Sequence, residues 1–270
     1  MKTISEAAAI TKAAKYNDTF KTIKWEESCF EDENQLHDIE GIPSELVGIV
    51  GSAVDYLSRM MITGDKSKAF EISFLFKKHH PFFVNNPDHE VCKHADQLLE
   101  QITGLDDSSI KKACKLVCYD LLYRVNDSAF YKAVKAVFEH YMSSPPEDTK
   151  STIENIRVMV QRCMEYFKGC APVTETGFCV KYGNLYGDGD VVTVRELCDL
   201  KTSKRKTSLK DKRQVLLYWY AGLHTEGLDF SKIDTLSIFN PRLNMAWKLK
   251  VSQLPEDLLD DLDMFCWECL

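Results

Sequence analysis

The first 40 residues are polar and mixed, and they close on the acidic run EESCFEDEN. They predict one short, loosely packed helix and a loop. The pattern then sharpens. In GIPSELVGIVGSAVDYLSRMMITG, Leu46, Val47, Val50, Val54, Leu57 and Met61 recur at helical spacing. Ser44 after Pro43 reads as an N-cap, Glu45 sits in the first turn, and Gly64 is a stop. Gly48 and Gly51 cost this helix about 1 kcal/mol each against alanine, which marks close packing or the approach of a ligand. From 65 to 170 the helical period persists through KAFEISFLFKKHH, EVCKHADQLLEQI, SSIKKACKLVCYDLLYRV, SAFYKAVKAVFEHYM and TKSTIENIRVMVQRCMEYFKG. Turn signals NNPD, GLDDS, RVNDS and SSPPED separate these segments.

At Gly169 the pattern changes. APVTETGFCVKYGN, LYGDGDVVTV, ELCDLKTS, IDTLSIFN and NMAWKLKVSQ are rich in Val, Thr, Tyr and Phe and predict strands. The helix SLKDKRQVLLYWYAGLHTEG interrupts them, and a last helix follows Pro255. No internal repeat or low-complexity segment is present. The expected class is α/β (α+β), with a central mixed sheet flanked by helices. The expected division is an N-terminal extension over 1–40, a core over 41–64 and 171–270, and a helical insert lobe over 65–170.

Composition narrows the picture. A chain of 270 residues with 44% hydrophobic content supports one large domain or two small ones. No run approaches the ~18 uninterrupted apolar residues of a membrane span, and the N-terminus has no apolar core of a signal peptide. The expectation is a soluble cytoplasmic protein with no membrane partner. Its ten scattered cysteines are expected to be reduced thiols. A net charge of −7 argues against a general nucleic-acid coat but leaves room for a local basic site.

Such a site is suggested by YGDGDVVTVRELCDLKTSK. Strand side chains alternate between faces, so Asp188, Asp190 and Val192 are expected on one face of a strand from Tyr186 to Val194. Asp199 and Lys201 share a face of the next strand. The short VREL connection makes the two strands antiparallel neighbours and brings Asp190 close to Asp199. Adjacent carboxylates repel unless a cation lies between them. Carboxylate, carbonyl and water oxygens suit Mg²⁺ or Mn²⁺. Lys201 would then lower the pKa of a bound water or stabilise charge on a phosphorus. On spacing alone, a salt bridge between strands remains the alternative. The run KTSKRKTSLKDKR follows directly, with Lys204, Arg205, Lys206 and Arg213 as candidate phosphate contacts.

Gln214 and Tyr218 lie four apart on the next helix and share one face. Gly-x-x-Asp (Gly187 to Asp190), Asp-x-Lys-Thr (Asp199 to Thr202) and Gln-x-x-x-Tyr together resemble the PD-(D/E)XK nuclease superfamily, nearest its RecB-like exonuclease branch. The resemblance covers the first helix and roughly Pro172 to Leu254, and not the helical insert. It implies a restriction-endonuclease-like core and metal-dependent hydrolysis of phosphodiester bonds in DNA. Asp190 and Asp199 become metal ligands with the Leu200 carbonyl, Lys201 the catalytic lysine, and Gln214 and Tyr218 orienting groups. Asp188 is an outer ligand or a substitute. Asp55 stands four residues after Gly51, where the branch usually has histidine, and is a further candidate ligand beside the weaker Glu45.

Some members of that branch hold an iron–sulfur cluster. Here Cys29, Cys266 and Cys269 supply three candidates, with Cys170 or Cys198 for a fourth. The expectation goes against a cluster, and Cys114 and Cys118 read as core. The helical insert is expected to guide the nucleic-acid strand or receive a protein partner. The alternatives are a non-catalytic nucleic-acid-binding or protein-interaction module on the same fold, and an RNA-directed nuclease.

Overall fold

The computed structural model describes residues 2–9, 20–38, 42–124, 128–144 and 146–268. The chain is α+β and divides into two units, residues 1–32 with 165–270, and residues 33–164.

The first unit holds two sheets. A six-stranded mixed sheet contains β2 (Glu26–Cys29), β3 (Val173–Thr176), β6 (Val191–Thr193), β7 (Glu196–Leu200), β8 (Thr235–Asn240) and β9 (Met245–Lys250), in the order β2-β9-β8-β7-β6-β3. A three-stranded sheet orders β1 (Lys2–Thr3), β5 (Leu185–Asp188) and β4 (Cys179–Tyr182) as β1-β5-β4. The segments APVTETGFCVKYGN and LYGDGDVVTV, each expected to be one strand, are each two. They form a bent antiparallel hairpin whose base (β3 with β6) belongs to one sheet and whose tip (β4 with β5) belongs to the other. Gly177 N–H donates to the Asp190 carbonyl at 2.9 Å, and Gly189 N–H donates to the Phe178 carbonyl at 2.8 Å, so pairing continues through the bend. Gly177 turns with φ 63°. At Gly189 a β-carbon would land inside the Phe178 ring. That ring is 3% exposed and meets Tyr218 and Phe230 edge-on at 6.1 and 5.3 Å between centroids.

β7 and β8 are parallel, so the chain must cross over between them, and the helix Leu209–Leu223 does so. Ser208 and Asp211 cap it reciprocally. Every residue from Arg213 to Gly222 is buried. Its neighbours are the sheet, the last helix Glu256–Glu268 and the N-terminal helix Ile4–Ala8, which buries Ile4, Ala7 and Ala8. The N-terminal segment therefore departs from the expected loose extension. It contributes a packed helix, a strand parallel to β5, and the edge strand β2 paired with β9.

The second unit is helical. Its helix Ser44–Thr63 starts one residue earlier than the expected cap, with Pro43 at the cap position and no side-chain cap bond. It ends as expected at Gly64, φ 73°. A methyl group on Gly48 would meet nothing, so close approach does not explain that glycine. This helix was expected in the sheet core, but it groups with residues 33–164. The stretch Leu46–Thr63 is long and apolar enough to cross a membrane, though half of it is buried within the protein. The tract SSIKKACKLVCYDLLYRV breaks into Asp107–Val117 and Asp120–Arg124. The break places Asp120, 4% exposed, to accept from Tyr56 Oη and Ser73 Oγ at 2.6 Å each. Among the described residues the cysteines are free thiols, and burial pushes the Cys114 thiol up to about 12, as a core residue requires.

Gly189→Ala should destabilise the first unit by about 1–3 kcal/mol, the cost of overpacking a filled core. Urea denaturation measures it. Adding Phe178→Leu should recover part of the loss, and no recovery would mean that the bend does not depend on this contact.

Candidate active site

β7 is the central element. β6 runs antiparallel to it with Val191 opposite Cys198 and Val192 opposite Leu197. One further step in that register sets Asp190 across from Asp199. The two-residue connection expected from VREL is present, with Thr193 Oγ1 accepting from the Arg195 and Glu196 amides at 3.2 and 2.8 Å. Asp190 itself lies in neither sheet but at the hairpin bend. Its Oδ2 accepts the Leu200 amide at 2.7 Å.

Asp199 is 3% exposed. The Lys201 ammonium lies 2.8 Å from its Oδ2. This charge-assisted contact is the one that Oδ2 has among the described residues. Lys201 Nζ also donates to Gln214 Oε1 at 3.2 Å. Gln214 Nε2 donates in turn to Ser5 Oγ at 2.9 Å and to Tyr218 Oη at 3.3 Å. Burial pushes the Asp199 carboxyl up, Lys201 pulls it back and Asp190 pushes it up again, leaving it at about 7. For Lys201, burial acts to lower the ammonium, but the Asp199 and Asp190 charges outweigh it and hold the group above the ordinary lysine range. Burial, then the Asp199 charge, raises the Tyr218 phenol.

Asp190, Asp199, Leu200, Lys201, Gln214 and Tyr218 are thus brought together. Within the first unit, Asp188 is not among them. Asp188 ends β5 in the three-stranded sheet, where its Oδ1 accepts from Cys179 Sγ at 3.1 Å. Asp55 belongs to the second unit and forms an ion pair with Arg59, with Nε to Oδ1 at 2.7 Å. The side chain of Glu45 lies outside the described residues. Among the described residues no three His, Cys, Asp or Glu side chains gather as a metal-holding group. Of the acids expected from sequence, Asp190 and Asp199 meet within the first unit. Two carboxylates remain, and Leu200 presents its amide to one of them. Mg²⁺ commonly takes one or two carboxylates and completes its shell with water and substrate phosphate. Asp199 Oδ2, buried and met by the Lys201 ammonium alone, fits such a two-carboxylate site.

Cys29 is exposed on β2, Cys198 is buried in β7, Cys266 is buried in the last helix, and Cys170 Sγ donates to the Tyr166 carbonyl at 3.3 Å. Cys269 lies outside the described residues.

The basic run is partly diverted. Lys204, Arg205 and Lys206 are exposed on a loop that Asn240 Nδ2 holds through the Ser203 carbonyl at 2.9 Å. Lys206 pairs with Glu27 at 2.6 Å, and Lys212 lies over the Trp25 ring at 5.8 Å. Arg213, expected on phosphate, is 5% exposed, because the helix that carries it is buried on all sides.

Two residues escaped the sequence reading. Ser5 had no signal, since nothing in MKTISEAAAI marks a contact with a glutamine 209 residues away. Glu196 did have one, as a carboxylate opening an apolar strand. It is 7% exposed and accepts from Tyr166 Oη at 2.5 Å, Ser237 Oγ at 2.6 Å and Lys248 Nζ at 3.0 Å.

The Asp199 shift has a testable sign. Its folded pKa, about 7, lies above the ordinary aspartate value of 3.8, so the native state binds more protons than the unfolded chain between those values. Its contribution to stability is therefore lost as pH rises from about 4 through 7. The difference in unfolding free energy between the native chain and Asp199→Asn should change steeply between about pH 4 and 7, and level off above, in urea titrations. A flat difference would contradict the assignment.

No protein-family model matches the chain, and no curated protein matches it at a significant level.

Proposed function

We propose that this protein is a metal-dependent nuclease that hydrolyses phosphodiester bonds in DNA, on a restriction-endonuclease-like core. The observation that carries the reading is the convergence of Asp190, Asp199 and Lys201 at one end of β7, with Asp199 Oδ2 buried against the Lys201 ammonium. Asp190 and Asp199 are the residues that would hold Mg²⁺ or Mn²⁺. When bound, the metal supplies Lewis-acid polarisation of a phosphoryl oxygen and a nucleophilic water near neutral pH. Lys201, kept protonated by its acidic neighbours, stabilises the negative charge that develops on the phosphorus oxygens. Gln214 Oε1 orients the ammonium, and Tyr218 with Ser5 orients Gln214. Lys204 and Arg205, exposed on the loop that follows Lys201, would meet the phosphate backbone.

One observation favours a second reading. Lys201 already neutralises Asp199 without a metal, so the pair also serves as a buried structural ion pair in a non-catalytic binding module on the same fold.

A cleavage assay separates the two. Labelled linear and circular DNA, single- and double-stranded, and a matched RNA are incubated with Mg²⁺ or Mn²⁺. The nuclease reading requires metal-dependent cleavage of DNA that falls at least about 100-fold in Lys201→Ala, roughly 2.7 kcal/mol of transition-state stabilisation. Folded protein that binds Mn²⁺ weakly or not at all and leaves every substrate intact would select the ion-pair reading. Cleavage of RNA alone would reassign the substrate.

A further inference from the structure

The second unit carries its own cavity, a groove of about 580 Å³. That volume suits a small-molecule ligand and is too small for a folded peptide element. Its floor is apolar, from Leu98, Phe138 and Met142. Lys111, Lys112 and Lys115 rim it from the helix Asp107–Val117, with Ser108 at that helix's start. Lys115 lies 3.6 Å from Glu139, also on the rim. No carboxylate pairs with Lys111 or Lys112 among the described residues. Three cations against one carboxylate leave the rim with two uncompensated positive charges, in a chain whose net charge is −7. The positive field reaches His94, which burial and then Lys115 and Lys135 hold below the usual histidine range.

We infer that this groove binds a nucleotide, either free or as a unit of a single strand, with phosphate on Lys111 and Lys112 and the base against Leu98, Phe138 and Met142. The chemistry follows from the charge and the floor. A free nucleotide's terminal phosphate carries about two negative charges at neutral pH, and two successive phosphodiester links of a strand carry one each, so either source matches the uncompensated pair. A fatty acid supplies only one negative charge, and inorganic phosphate leaves the apolar floor uncovered. Lysine recognises phosphate as a point charge, so the site does not depend on a fixed fork geometry. It lies wholly within residues 33–164 and does not rest on the nuclease reading.

The test uses the full chain in EDTA, so that no metal site contributes, and follows fluorescence on adding N-methylanthraniloyl-ADP. In a second arm it follows the anisotropy of a fluorescein-labelled oligothymidylate of six nucleotides. Binding to at least one probe is expected, and it should weaken with salt. Lys111→Glu/Lys112→Glu should weaken binding about tenfold or more, and Glu139→Gln should strengthen it several-fold. The strengthening is a result that misfolding cannot imitate. Tighter binding of the oligothymidylate identifies a strand as the source, and tighter binding of the ADP probe identifies a free nucleotide. No binding to either probe, displacement by inorganic pyrophosphate as effective as by ADP, or stronger displacement by polyglutamate would each overturn the inference.

Discussion

A carboxylate almost sealed from water on the central strand sets the requirements for the rest of the first unit. Burying an isolated charge costs several kcal/mol even after the protein relaxes, and Asp199 is 3% exposed. Its compensation comes from Lys201, two residues along the same strand edge. An ammonium can only donate, so Gln214 must turn its carbonyl oxygen toward Lys201 and its amide nitrogen away. That nitrogen then needs acceptors, and Ser5 Oγ and Tyr218 Oη are there. One buried charge thus fixes the orientation of a side chain on the crossover helix and gives the N-terminal helix a polar contact as well as an apolar one.

The second carboxylate depends on the bend in the hairpin. In a straight strand, Asp188 and Asp190 would share a face, as alternation requires. The chain instead leaves the three-stranded sheet after Asp188 and enters the six-stranded one at Val191. Asp190 is left at the corner, where its backbone carbonyl takes the Gly177 amide and its side chain takes the Leu200 amide. The bend is tight because Phe178 fills the space at Gly189. Core packing therefore decides which of two neighbouring aspartates faces Asp199.

Where periodicity was long and amphipathic, the sequence was informative. The helix Leu209–Leu223, the strands β7, β8 and β9, and the longer insert helices Glu90–Glu100, Ser128–Met142 and Pro146–Lys168 follow from apolar spacing, whereas KAFEISFLFKKHH breaks into Lys66–Ala69, the 3₁₀ turn Glu71–Phe74 and Leu75–His79. The pairing of β6 with β7 followed from a short connection, and with it the meeting of Asp190 and Asp199. Failures came where local pattern carried no information about partners. β2 is EESC, exposed at every position, and becomes a strand only because β9 offers an open edge. The glycines at 177 and 189 sit within runs rich in β-formers, and single-strand alternation does not reveal a change of sheet. Arg213 belongs to a run of seven basic residues that reads as surface, yet the helix that carries it is enclosed on all sides.

β7 also supplies an internal comparison. It carries two buried carboxylates, Glu196 at its start and Asp199 near its end, on opposite faces by alternation. Glu196 is fully provided for by a phenol, a hydroxyl and an ammonium, under a stacked pair of Tyr166 and Phe239 rings 4.2 Å apart. Asp199 Oδ2 meets one ammonium, at 2.8 Å, and no second donor among the described residues. A strand selected for stability alone would satisfy both, since an incompletely bonded buried oxygen costs about 1–3 kcal/mol. The same fold completes one carboxylate and leaves the other open, and the open one is flanked by a second acid, a lysine and a glutamine. Perturbed, incompletely satisfied groups of this kind cluster where chemistry is done.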